Sequence, residues 1–142
     1  MIYAETHKFV AIVNKNLEPG VALNALAHAT AGLGASAPEE LREKMSFINF
    51  PDKNGNNHPN ISALSLIVLR GTSNEIRKAR NQYVEGNIHF VDFLETMTGD
   101  TYKEQLDKTV GTAYEDLNFY CIVAFGEKKI LDPITKKLSL WR

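Results

Sequence analysis

At 142 residues, with 44% hydrophobic and 23% charged side chains, the chain is the size of one ordinary domain able to bury its own core, and its composition excludes a disordered protein. A formal net charge of -1 argues against a broad nucleic-acid surface, which carries a large basic excess, although a local basic patch stays open. No run approaches the roughly 18 apolar residues of a membrane helix, and the polar start, with Glu5, His7 and Lys8 ahead of the first apolar run, does not look like a signal peptide. A cytoplasmic protein without membrane contact is the expectation.

In chain order, Lys8–Asn14 is apolar without alternation, which predicts a central strand covered on both faces. Residues 15–20 form a turn punctuated by Pro19-Gly20. Val21–Leu33 is Ala-rich and predicts a helix able to lie close to a sheet, with Gly34 as its C-terminal stop. Ala37-Pro38-Glu39-Glu40 predicts a second helix start, with proline first and acids in the first turn. Asn54-Gly55 marks a hairpin inside the polar stretch 52–60.

Ala63–Leu69 predicts a second buried strand. Thr72 and Glu75 have capping-box spacing ahead of a helix over Ser73–Glu85, on which Arg77, Lys78 and Arg80 read as a solvated face. Ile88–Leu94 predicts a third strand, the Thr-rich 95–100 a loop, and Thr101 with Glu104 another helix start. Leu117–Phe125 predicts a fourth strand, ended by Gly126. The basic tail 127–142, closing on Leu-Ser-Leu-Trp141-Arg142, predicts an edge strand or a surface for a partner. Repeats, low-complexity tracts and interdomain linkers are absent, so residues 1–142 read as a single α/β domain.

Alternating strands and helices imply a mostly parallel four-stranded sheet with helices on both sides. Right-handed crossovers then put the loops after successive strands on one sheet edge, where α/β folds bind their ligands. The loops so placed are 14–20, 70–73 and 95–101, provided the strand order keeps them together.

Asn24 and His28, four residues apart, share a face of the first helix. One reading makes His28 a ligand contact or general base oriented by Asn24; the other makes both of them hydrogen-bonded core groups, and by residue type alone the second is the commoner arrangement. The turn ahead of that helix, with Gly20 and Lys15, is suited to an anion, or serves only the backbone. Arg70, beside Thr72 at a strand end, would meet an anionic group or form a surface ion pair with an N-cap. Thr96, Thr98 and Asp100 are substrate contacts or turn residues.

Other chemistries find no pattern. Gly32-x-Gly34-x-x-Ala37 follows a helix, where the dinucleotide fingerprint follows a strand and opens a helix, so no cofactor is expected. Asp52-Lys53-Asn54-Gly55 has its glycine too early for a calcium loop. The four histidines, His7, His28, His58 and His89, lack zinc spacing, and no metal is expected. The single cysteine, Cys121, sits in an apolar strand and reads as a buried small hydrophobe.

The stretch Val10-Ala-Ile-Val-Asn14-Lys15-Asn16-Leu17, continuing through Gly20 to His28-Ala29, resembles the opening of the type II peptidyl-tRNA hydrolases: an apolar strand, a turn with Arg and Asp, then a helix bearing Gly, Lys, Gln and His-Ala. Gly20, His28 and Ala29 match. The turn Arg and Asp fall on Asn14 and Asn16, the presumed catalytic Lys on Val21, and the helix Gln on Ala25. The family's later Asp-Ala-Gly-x-Thr segment is replaced by Met97-Thr98-Gly99-Asp100-Thr101. As a whole the sequence resembles a family of unknown function within that superfamily. The resemblance implies a three-layer α/β/α fold around a mixed sheet, and it does not carry the hydrolase reaction over.

The leading expectation is therefore a protein that binds, and transforms or only holds, a small polar or anionic ligand at the first strand–helix junction. His28 would be the catalytic candidate, with Asn24, Asn14, Lys15, Gly20, Arg70 and Thr98 as ligand contacts. The alternatives are a non-catalytic homodimeric interaction module using the apolar strand and the Trp141 tail, and a divergent peptidyl-tRNA hydrolase.

Overall fold

The computed structural model describes residues 2–142. Its strands and helices are β1 (His7–Asn14), α1 (Pro19–Ser36), α2 (Glu39–Lys44), β2 (Phe47–Pro51), β3 (Asn57–Ser62), β4 (Leu66–Gly71), α3 (Ser73–Glu85), β5 (His89–Leu94), α4 (Tyr102–Val110), β6 (Phe119–Glu127), α5 (Lys128–Thr135) and β7 (Ser139–Leu140). β2 and β3 form a separate hairpin, and the other strands make one five-stranded sheet in the order β5-β6-β1-β4-β7.

The layers follow from side-chain alternation. Odd-numbered β1 residues Phe9, Ala11 and Val13 join Ala22, Ala25, Ala29 and Leu33 of α1 in one core. Even-numbered Val10 and Ile12 join Ile76, Ala79 and Tyr83 of α3 and Leu131 of α5 in the other. The sheet is thus sandwiched between α1 and α3/α5, an α/β/α arrangement. Because the buried α1 positions are mostly alanine, the helix axis can approach the strands closely, and Gly32 would carry its Cβ to 3.4 Å from Val91 Cγ1 on β5. The helix continues past Gly34 to Ser36, so Gly34 is not its stop. At α3 the capping box forms as its spacing predicts: Thr72 N donates to Glu75 Oε1 (2.9 Å) and Glu75 N to Thr72 Oγ1 (3.1 Å), an arrangement whose cap alone stabilises a helix by about 1 kcal/mol.

The expectation of a mostly parallel, four-stranded sheet is wrong. Only β1 and β4 pair in parallel; β6 is antiparallel to both β1 and β5, and β7 is antiparallel to β4. The reason lies in α4. A crossover helix must bury a face on the sheet while carrying the chain from one edge to the other, whereas α4, nine residues long, has no buried residue. The chain leaves β5 and re-enters at β6 from the same edge, so β6 runs back. The tail also differs: between β6 and the edge strand β7 lies the short helix α5, which contains Pro133 and buries Leu131 and Thr135. Trp141 packs against the chain's own core, its backbone N–H donating to Val68 O at 2.9 Å, while Ser139 and Leu140 of the edge strand stay exposed.

Arg77 and Arg80 are not a solvated face either. Arg80 Nε donates to Asp92 Oδ2 at 2.7 Å, and Arg77 Nη2 to Leu117 O at 2.7 Å; their guanidinium groups lie over Phe90 and Phe119, 5.3 and 5.2 Å from the ring centroids. Both clamp α3 to the sheet. Lys78 alone of the three is exposed. None of the helices among the described residues is long and apolar enough to cross a membrane.

Candidate functional site

Since β5 opposes β6 and β6 opposes β1, the strands β1, β4 and β5 point the same way and their following loops do emerge on one edge. The strand order separates them, however: β6 lies between β1 and β5. The loop 95–101 is therefore one strand away from the β1–α1 turn, and the candidate residues divide into two groups.

Asn24, His28 and Thr98 come together. They line a cavity of about 640 Å³ whose walls are α1 (Asn24, His28, Ala29), β5 (Val91, Asp92, Phe93), the loop after β5 (Met97, Thr98, Gly99) and α4 (Tyr102, Gln105, Leu106, Thr109). That volume is within the range of small-ligand sites, about 300–1,000 Å³. Neither Asn24 nor His28 is buried, so the core reading of this pair fails. The His28 ring stacks on Phe93, centroids 5.4 Å apart and planes at 28°, which fixes the imidazole over an apolar base while leaving its polar edge accessible.

The opposite wall is held by hydrogen bonds between the loop and α4. Lys108 Nζ donates to Thr98 O (2.7 Å), Gln105 Nε2 to Gly99 O (3.1 Å), and Thr109 Oγ1 to Thr96 Oγ1 (2.8 Å). Gly99 has φ +140°, a backbone conformation that calls for glycine. Thr98 Oγ1 donates to Glu95 O at 2.6 Å, which leaves its lone pairs as acceptors.

The other candidates do not line this cavity. Asn14 is buried, its Nδ2 donating to Phe119 O at 2.9 Å and its Oδ1 accepting from Asn16 N at 2.9 Å; it locks the end of β1 to the start of β6. Lys15, Gly20 and Arg70 are exposed on the edge beyond β1 and β4. The α1 N-terminus has Glu18 as its N-cap residue, with no capping side-chain bond, and a carboxylate there opposes an anion site. A Cβ at Gly20 would meet nothing within 4 Å, so no close approach requires glycine.

Sequence reasoning missed the α4 wall and Phe93. The signal was present: Tyr102, Leu106 and Val110 stand four residues apart on one stripe of an otherwise polar helix, and all are exposed. Other reactive groups are silenced by their surroundings. Burial pushes the Cys121 thiol up to about 12, with a smaller contribution from Asp92, which removes the thiolate needed for nucleophilic work. Tyr120 is held protonated by burial and by the Glu95 carboxylate, whose Oε2 accepts its hydroxyl at 3.5 Å. No group of three or more His, Cys, Asp or Glu side chains among the described residues is placed to hold a metal ion.

The fold is shared with a protein of unknown function, Atu0240, from Agrobacterium tumefaciens str. C58: the TM-score is 0.80 at 20% identity, over 96% of this chain and 98% of that one. No curated protein matches the chain. The family model for DUF2000, a protein family of unknown function, matches residues 7–142, and the chain belongs to that family.

Proposed function

We propose that the cleft between α1, β5 and α4 binds a small polar ligand, with His28 as the group available for proton exchange. The observation that carries this reading is the meeting of Asn24, His28 and Thr98, from two distant segments, on one cavity. An imidazole is the side chain suited to give and take protons near neutral pH; Asn24, one turn before it on α1, and the Thr98 hydroxyl supply a directed donor and acceptor beside it. Phe93 and Met97 give the apolar base and side wall against which such polar groups discriminate.

The type II peptidyl-tRNA hydrolase resemblance lends this reading its placement on the first helix and no chemistry, since Val21 stands where the family has its lysine. The setting proposed is cytoplasmic, on the sequence argument given above. A backbone-amide NMR screen against a library of polar fragments tests the proposal. Hits should shift the amides of Asn24, His28, Thr98 and Gly99 together, and His28→Ala should weaken them by about tenfold, the worth of one good hydrogen bond. Hits that cluster elsewhere while the cleft stays silent would overturn it.

A further inference from the structure

The cleft holds a second kind of recognition element: unpaired main chain. Along a strand, backbone N–H and C=O groups point alternately to one neighbour and then the other, so the bonding of the sheet can be followed strand by strand. Phe9 N donates to Ser65 O and Lys15 N to Gly71 O, which turns the odd-numbered residues of β1 toward β4 and the even-numbered ones toward β6. Opposite Lys8, Val10 and Ile12 stand Gly126, Ala124 and Ile122. The β6 residues that turn the other way, Phe125, Val123 and Cys121, therefore bond to His89, Val91 and Phe93 of β5. Phe90 and Asp92 are left with their N–H and C=O directed outward.

β5 is the edge of the sheet, so no strand meets those groups, and they bond to nothing else among the described residues. The open stretch is closed off at both ends. Ile88 N donates to Tyr83 O at 2.9 Å, and Leu94 N to Met97 Sδ at 3.4 Å. What remains is two donors and two acceptors at alternate positions. Asp92 lines the cleft while its carboxylate is held by Arg80 of α3, and Phe90 stands two residues back on the same open edge, beyond the residues that line the cleft.

On this basis, and resting on the assignment of the cleft as the binding site, we propose that its ligand is an extended peptide, which adds as a strand to β5 through the main chain of Phe90 and Asp92. A partner strand lies about 4.8 Å from its neighbour, and this spacing puts it between the α1 wall, with Asn24 and His28, and the α4 wall, with Tyr102 and Leu106. Four main-chain bonds give such a ligand affinity with little dependence on its sequence, and alternate side chains supply selectivity. A peptide fits better than the β5 edge of a second copy, because a cleft of about 640 Å³ bounded by two helices admits one short strand and not a five-stranded sheet with its helices.

The test uses the full chain and a randomised pool of N-acetylated, C-amidated pentapeptides, with a matched pool N-methylated at every backbone amide. The plain pool should shift the Phe90 and Asp92 amides downfield and slow their hydrogen exchange. N-methylation, which removes the donors and blocks the approach, should weaken this by about tenfold or more. Equal binding of both pools, with shifts at Asn24, His28 and Thr98 but none at Phe90 and Asp92, would overturn the strand-addition proposal while leaving the cleft as a ligand site. Silence of the whole cleft toward both pools would overturn it too, and the fragment screen then decides separately whether the cleft binds anything. Shifts at Phe90 and Asp92 that grow with protein concentration in the absence of peptide, together with a doubled mass, would show a second copy on this edge and refute the peptide.

Discussion

Tyr83 should be better replaced by phenylalanine. Its side chain is fully buried in the α3 layer, its ring is 6.0 Å from that of Phe90, and its hydroxyl has no hydrogen-bond partner. Burial holds the phenol protonated, pushing it well above the usual tyrosine range. A buried hydroxyl that gives up water and gains no partner costs about 1–3 kcal/mol. Tyr83→Phe recovers that cost and leaves a void of roughly one oxygen, on the order of 10 Å³, worth about 0.2 kcal/mol at the usual penalty per unit of cavity volume. The net expectation is a gain of about 1–2 kcal/mol, or about 3–6 °C in Tm for a chain of this size. Urea unfolding followed by circular dichroism would show a higher midpoint with an unchanged slope. A variant destabilised by 1 kcal/mol or more would refute the reasoning, since it would mean that the hydroxyl holds a hydrogen bond in solution.

His7 has its pKa lowered by burial, with Glu127 opposing and Lys44 adding to the effect, so the unfolded chain binds the proton more readily. Its contribution to stability is complete above about pH 6.5, the unperturbed value, and is lost as the pH falls below that; urea midpoints should drop over this window, and His7→Gln should flatten the drop. Cys121 should react with a disulfide reagent only as fast as the protein opens, and a thiol that titrates quickly in native buffer would contradict its burial. His28→Ala should cost less than about 1.5 kcal/mol, the upper worth of one ring stack, so any binding lost in that variant reports on the site and not on folding. Purified protein should show no turnover of peptidyl-tRNA above buffer, because Val21 and Asn16 stand where the presumed catalytic lysine and aspartate would be; turnover abolished by His28→Ala would reverse that conclusion.

Local features were legible to the extent that their determinants are local. The capping box at Thr72 and Glu75, the Asn54-Gly55 hairpin and the unbroken apolar run of β1 each depend on residues within a few positions, and each forms as read. Strand direction is not such a property. Whether β6 runs with β5 or against it depends on whether α4 buries a face on the sheet, and the nine residues of α4 look like any capped amphipathic helix until their apolar stripe is seen facing solvent. α5 was hidden for a related reason: Pro133 and a basic surface disguise a segment whose Leu131 is fully buried. Arg77 and Arg80 were misread because a guanidinium half-buried over an aromatic ring and one in water have the same sequence signature.

The candidate site shows the same division between what residues determine and what topology determines. The pairing of Asn24 with His28 needs only helix periodicity, and it stood. The convergence of three loops needed strand order, and there the single intervening strand β6 decided the outcome: it put Asn14 to structural use as a tie between strands and left Lys15 and Arg70 on the far side. It also gave β5 an outer edge. Had β5 stood inside the sheet, the main chain of Phe90 and Asp92 would be spent on a neighbouring strand and the cleft would have only side chains to offer. Strand order, rather than strand direction, thus separates the cleft from the β1–α1 turn and leaves the outer edge of β5 without a neighbouring strand.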